Sequence, residues 1–354
     1  MFWHDLSYRK LLNQVKVMLL KNRAAGKALR MLVLAWLAAF DLPAYAIIDA
    51  SSAANTNAPA DGAPWANVGV INGAASGVYV GNGWVLTAAH VGAGSIELAG
   101  VIYTFDGNWQ RLTNSDGTQT DLVVFHLSQF PPLPALVLTT ATPTPLSVVD
   151  LVGYGHIAGS AQTSIFPYTG FYWSVGAFKS WGNSKVSSGG LVVLNAGLGN
   201  VTLITTEFTQ PGSPGATSDE AQASAGDSGG GVFQHSASGW QLVGITDLIQ
   251  TLPGQTNNTA VYGDRTLSAD IATYGPQVAA WRASTSPPMT ITRSGTNTMV
   301  CWPDIGVAYK LQATTSLSPT NWTTIAPSTS STNGQVCAVL PASGQERFFR
   351  LQKP

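Results

Sequence analysis

The sequence predicts an all-β protein, and three observations carry that prediction. Asn-Gly pairs at Asn72-Gly73 and Asn82-Gly83 fall between β-rich pieces, and Asn-Gly is the favoured two-residue hairpin turn because both residues tolerate positive φ. Apolar residues recur in runs of strand length, and only one stretch, Ile271–Arg282, reads as an amphipathic helix. Composition agrees: glycine occurs 37 times, hydrophobic residues make up 45% and charged residues 10%, enough for a core and too little charge for obligate disorder.

At 354 residues the chain exceeds one average domain, so two folded units plus a processed end are expected. Seven of the 17 Lys and Arg residues lie before residue 47, ahead of the apolar run 31–40 and Ala44-Tyr45-Ala46. A positive flank, a short apolar run and a small-x-small site make a secretory signal peptide over 1–46. The run is too short to span a bilayer comfortably, so no stable membrane anchor is expected. Met18 offers an alternative start. Cleavage after Ala46 leaves Ile47 as the new terminus of an extracellular or periplasmic protein. The remainder holds ten basic and sixteen acidic groups with no Lys/Arg cluster, so a nucleic-acid footprint is excluded.

Next come the strands. Val78–Val80 and Trp84–Leu86 form the arms of one hairpin. Further candidates are Val101–Phe105, Leu122–His126, Val148–Val152, Tyr172–Phe178, Leu191–Val193, Val201–Thr206 and Leu242–Thr246. In the helix, Pro276 is placed in the first turn, with Val278 and Trp281 sharing a face. A linker over 285–288 separates residues 47–284 from a small β module over 289–354. The module's strands are Met289–Thr292, Met299–Trp302, Ala308–Thr314, Val336–Leu340 and Phe348–Leu351, with Asn333-Gly334 as a hairpin turn. The two cysteines, Cys301 and Cys337, lie in two of these strands. An even count behind an export signal favours one disulfide over two free thiols.

The stretch richest in chemistry is Gly226-Asp227-Ser228-Gly229-Gly230. Glycines around a serine let the backbone turn sharply and approach a carbonyl closely, and its amides can face a developing oxyanion. The same residues satisfy the G-x-S-x-G elbow of α/β-hydrolases, which requires an acid and then a histidine downstream. Only His235 follows, with no acid between, and the chain lacks a βαβ pattern. The order histidine, acid, serine does fit. Trp84–His90 is a strand running into a small-residue turn, and Asp121 stands at the mouth of the apolar strand 122–125. A serine hydroxyl is a poor nucleophile until an imidazole takes its proton, and that imidazole needs a carboxylate to fix its tautomer. Asp106 and Asp116 compete for the acid's role but sit beside glycines in expected loop turns. His126 and His156 are expected to be structural.

Gly83-Trp-Val-Leu-Thr-Ala-Ala-His90, Asp121-Leu-Val-Val-Phe125 and Gly226-Asp-Ser-Gly-Gly230 resemble the three signature blocks of trypsin-like serine peptidases over roughly 47–284. The resemblance implies two six-stranded antiparallel barrels with a closing helix. It gives His90 the part of general base, Asp121 its orientation, Ser228 nucleophilic attack, and the amides of Gly226 and Ser228 the oxyanion hole. Gln222 falls at the base of the specificity pocket. Asp247 falls where a serine normally stands near the triad acid. Asp227 is the partner of a hydrophobic new terminus, here Ile47. Val91 replaces a frequent cysteine, so the barrels must hold by packing alone, and Gly231 replaces a common proline. The module is similar to small β-sandwich units that end secreted bacterial proteins, implying attachment to a surface, glycan or protein, or stabilisation alone. Together these features predict a secreted serine endopeptidase acting on proteins or peptides, with no metal or organic cofactor. A catalytically silent binding protein and an esterase on the same fold are the alternatives.

Overall fold

The structure, a computed structural model, describes residues 47–50, 55–159, 163–165, 167–174, 176–305, 307–318, 321–332, 334–342 and 345–353. The expected signal peptide and Asn333 lie outside them. Among the described residues, no helix is long and apolar enough to cross a membrane.

Turn chemistry starts the first sheet. Asn72 and Gly73 take φ of +50° and +69°, and Asn82 and Gly83 take +54° and +82°. These left-handed pairs join Val68–Ile71 to Ala75–Gly81 and Ala75–Gly81 to Trp84–Ala88, matching the twist of the flanking strands. The sheet runs in the order Val101–Tyr103, Ile96–Leu98, Val68–Ile71, Ala75–Gly81, Trp84–Ala88, Gln119–Leu127, Phe105–Thr113. The second sheet runs Phe178–Lys185, Val148–Gly155, Gly231–Ser236, Gly239–Gln250, Arg265–Asp270, Asn200–Glu207, Val192–Asn195, and Val137–Leu138 joins Gly239–Gln250 in parallel. Seven and eight strands thus stand where six and six were implied, the additions being short or at edges.

Ile96–Leu98, Gly231–Ser236 and Arg265–Asp270 add to the expected strands, and two further strands escape the sequence pattern for different reasons. Phe105–Thr113 is an exposed edge strand paired only with Gln119–Leu127, so no alternating apolar face is needed. Asp106 therefore lies in a strand, not a turn, where its Oδ2 meets His126 Nδ1 at 2.6 Å. Phe178–Lys185 turns Ser180, Gly182 and Ser184 inward, and small residues leave no hydrophobic signal. Of the expected strand Tyr172–Phe178, only the end residues lie in strands, Tyr172 closing Tyr168–Tyr172 and Phe178 opening Phe178–Lys185, and Val175 lies outside the described residues.

The two sheets share one core. Val78, Trp84, Leu86 and Val124 of the first pack with Val152, Leu203, Phe233 and Ile245 of the second. The helix, Ile271–Ser284, closes this core with Ile271, Tyr274 and Val278. Asp270 caps it, its Oδ2 accepting from the Thr273 amide at 3.0 Å. Pro276 lies beyond the first turn, inside the helix, so its missing N–H removes an intrahelical bond rather than replacing an orphan donor.

The chain beyond the helix is held against the first sheet. Asn82 Nδ2 donates to the carbonyls of Arg282 at 2.8 Å and Thr285 at 2.6 Å, and Trp84 Nε1 donates to Thr285 Oγ1 at 3.1 Å. The module itself has a four-stranded and a three-stranded sheet. Val300, Trp302 and Ala338 of one pack with Leu311, Phe349 and Leu351 of the other. Cys301 stands opposite Cys337 in register, and the two sulfurs are bonded. Substituting Asn82→Ala removes one buried and one partly buried hydrogen bond and a residue suited to positive φ. A loss of about 2–3 kcal/mol is expected in urea unfolding.

Candidate active site

His90 ends the turn after Trp84–Ala88, and Asp121 sits within Gln119–Leu127, the strand paired beside it. Adjacent strands therefore bring the pair together. The fully buried Asp121 accepts from the His90 amide through Oδ1 at 2.8 Å and meets the ring's Nδ1 through Oδ2 at 2.9 Å. Two contacts from one residue fix both the position and the face of the imidazole. The Asp121 hydrogen bond raises the pKa of His90; burial opposes it, and the charges of Asp121 and Asp247 add to it.

Ser228 comes from the second sheet's side, on the loop before Gly231–Ser236. Ser76, fully buried in the first sheet, ties that loop down. Its amide donates to the Ser228 carbonyl at 3.0 Å, its hydroxyl donates to the Gly226 carbonyl at 3.0 Å and accepts from the Tyr154 amide at 2.7 Å. Its carbonyl accepts from Thr87 Oγ1 at 2.7 Å, three residues before His90. On the other flank the Gly229 amide donates to the Thr246 carbonyl at 2.7 Å, and the Thr246 amide to Gly230 at 2.9 Å. Gly229 has to be glycine: φ is +84°, and a Cβ would lie 2.0 Å from Thr87 Oγ1 and 2.1 Å from the Ser76 carbonyl. Ser76 and Thr87 carry no motif of their own. Only the tertiary contact exposes their part.

Within the loop the amides of Asp227, Gly229 and Gly230 donate to protein carbonyls. Those of Gly226 and Ser228 have no protein acceptor among the described residues, which leaves them open to an incoming oxygen. The Ser228 hydroxyl makes no hydrogen bond to the His90 ring in the described residues; its fixed contacts are through the backbone. Gln222 is buried, pairs in register with Ile48, and accepts from Thr266 Oγ1 at 3.1 Å, leaving Nε2 without a partner. Asp227 is fully buried. Its Oδ2 accepts from the Ser224 amide at 2.7 Å and hydroxyl at 2.9 Å, while the Ile47 backbone N–H also lowers its pKa; desolvation nevertheless pushes it up to about 7. Ile47 is itself buried among Val149, Leu151 and Val243.

Asp247 lies beside the pair, 3% exposed, with Oδ1 3.7 Å from His90 Nδ1. Burial and the neighbouring Asp121 charge push it up to about 8, against the lowering effect of His90. Donor atoms of His90, Asp121 and Asp247 fall within 4.8 Å of one another. Because Nδ1 is engaged by Asp121, the cluster reads as acid–base machinery rather than as a coordination sphere. His126 is turned away on Asp106, and His156 stacks on Trp173 with Nδ1 3.0 Å from the Ser174 carbonyl.

The raised pKa has a sign that can be checked. Folding holds Asp247 protonated up to about pH 8, whereas the unfolded carboxyl ionises near 4. Its contribution to stability is complete below pH 4 and is lost as pH rises through 8. Asp247→Asn is therefore expected to gain Tm relative to the parent as pH goes from about 4 to 8, in calorimetric scans across that range; a constant difference contradicts the assignment.

A family model described as Trypsin matches residues 53–270. No curated protein matches the chain. Among solved structures, the crystal structure of Rv3671c protease in its inactive form aligns with a TM-score of 0.41 at 16% identity, covering 66% of this chain and 98% of that one.

Proposed function

The chain belongs to the trypsin family, and on that premise we propose that it is a secreted serine endopeptidase working through an acyl-enzyme on Ser228. The observation that carries this reading is the double contact of His90 with Asp121, beside two unengaged amides of the serine loop. Nδ1–H held by Asp121 leaves the Nε2 lone pair for the Ser228 proton. The hydroxyl oxygen then attacks the scissile carbonyl, whose oxygen gathers charge against the amides of Gly226 and Ser228. The imidazolium returns its proton to the leaving amine, the acyl ester forms, and water repeats the sequence in reverse roles. Contacts between nucleophile and base commonly tighten only in the substrate complex, which accommodates the unbonded Ser228 hydroxyl.

The amino terminus completes the proposal. Ile47 has φ of +42°, a strained value for a β-branched residue. Cutting the preceding bond abolishes that torsion and converts the amide into an ammonium beside Asp227, whose Oδ1 otherwise lacks a hydrogen-bond partner. Export and signal cleavage after Ala46 would thus supply the ion pair that settles the serine loop. Protein or peptide substrates follow from the reaction. The module is given no ligand: Trp302 lies in its core, and Arg350 covers the Trp322 ring at 4.5 Å.

Labelling with a fluorophosphonate is expected for the mature chain and not for Ser228→Ala. Asp121→Asn should lower turnover of a peptide substrate by about 10⁴-fold while the fold persists. Labelling of Ser228→Ala at the parental rate would defeat the assignment, and ester turnover without amide turnover would favour the esterase. For the terminus, a mature chain beginning at Ile47 should be active and one with a single extra residue ahead of it much less so; equal activity rejects the ion-pair step.

A further inference from the structure

Asp247 differs from the other buried acids near it. Asp270 accepts from Thr273 and Thr142, and Asp227 from Ser224, whereas neither oxygen of Asp247 has a hydrogen-bond partner. Its position has a backbone cause. Strand Gly239–Gln250 shifts register against Arg265–Asp270 between Thr246 and Leu248, so Asp247 is the extra residue of a bulge, a device that re-aims a side chain. The ionisable groups facing it are His90, from the turn after Trp84–Ala88, and Asp121, from Gln119–Leu127. Across the sheet its neighbours pair with Ser268 and Leu267, which carry no charge.

We propose that Asp247 is a positioning residue for the general base, sharing one proton with His90 so that removal of this shared proton switches the site to its faster form. The inference rests on the peptidase reading. With one proton on the pair besides the Nδ1–H that Asp121 holds, either the Asp247 carboxyl is neutral and the ring is a free base, or the carboxyl has released its proton to solvent and the ring has taken one from solvent at Nε2. The second arrangement, carboxylate beside imidazolium, has the same net charge and cannot accept the Ser228 proton. Release of that proton to solvent leaves a neutral ring flanked by two carboxylates. When the ring then takes the Ser228 proton through Nε2, two anions rather than one stabilise the imidazolium. Groups this close titrate as a pair, and the apparent values belong to the pair. A serine at this place would donate a hydrogen bond but add no charge, so the aspartate makes the base respond to pH twice.

Two measurements test this. Profiles of kcat/KM against pH, run with a chelator from about pH 6 to 10, compare the parent with Asp247→Asn and Asp247→Ser. The parent is expected to keep rising between about pH 7 and 9.5 while both variants level off, so that the parent-to-variant ratio grows about tenfold, equivalent to one pH unit of coupling. Parallel profiles overturn the proposal. In a Ser228→Ala background, NMR titration of the His90 ring should show an apparent pKa lower by at least about one unit when Asp247 is Asn. A His90 titration unmoved by Asp247→Asn also overturns it. The NMR measurement needs no turnover, so a shifted His90 in a protein that neither labels nor hydrolyses peptides counts against the peptidase reading alone.

Discussion

Ser76 holds the site together. One buried residue of the first sheet bonds the carbonyls of Ser228 and Gly226, receives the Tyr154 amide from the second sheet, and receives the Thr87 hydroxyl from the strand that ends at His90. The proposed nucleophile and base belong to different sheets, and a catalytic arrangement has to be held within about 0.5 Å. A fixed crossing point is therefore needed where the sheets meet. Gly229 fits that crossing because no side chain can pass between the loop and Thr87.

The second consequence of this architecture is a set of acids kept out of water. Burial pushes Asp150 and Asp247 up to about 8 and Asp227 to about 7. Asp150 and Asp247 are accommodated as neutral acids more readily than as ions, so these two positions favour the acid side, whereas a free imidazole is favoured on the alkaline side. Stability and reactivity pull in opposite directions along the pH axis, as they commonly do at functional sites.

The sequence disclosed what is local and little of what is assembled. The Asn-Gly turns, the strand into His90 and the apolar strand after Asp121 were legible because turn chemistry and hydrophobic runs are properties of neighbours in the chain. Phe178–Lys185 was not, since its inward residues are small and answer to the close packing of Ala221 on Gly182. Phe105–Thr113 was not, because an edge strand has no buried face to advertise. Asp247 could be placed by likeness, but its contact with His90 depends on a bulge invisible in composition. Pro276 lies inside a helix that starts at Ile271, as the sequence predicts, but beyond the first turn where proline is best tolerated.

The sole covalent cross-link of the chain, Cys301–Cys337, lies wholly within the terminal module. A thiol reductant therefore addresses only that appendage, cutting one rung between two paired strands. The two large sheets, cemented by side-chain interlock instead, carry no thiol or disulfide on which a thiol reductant could act.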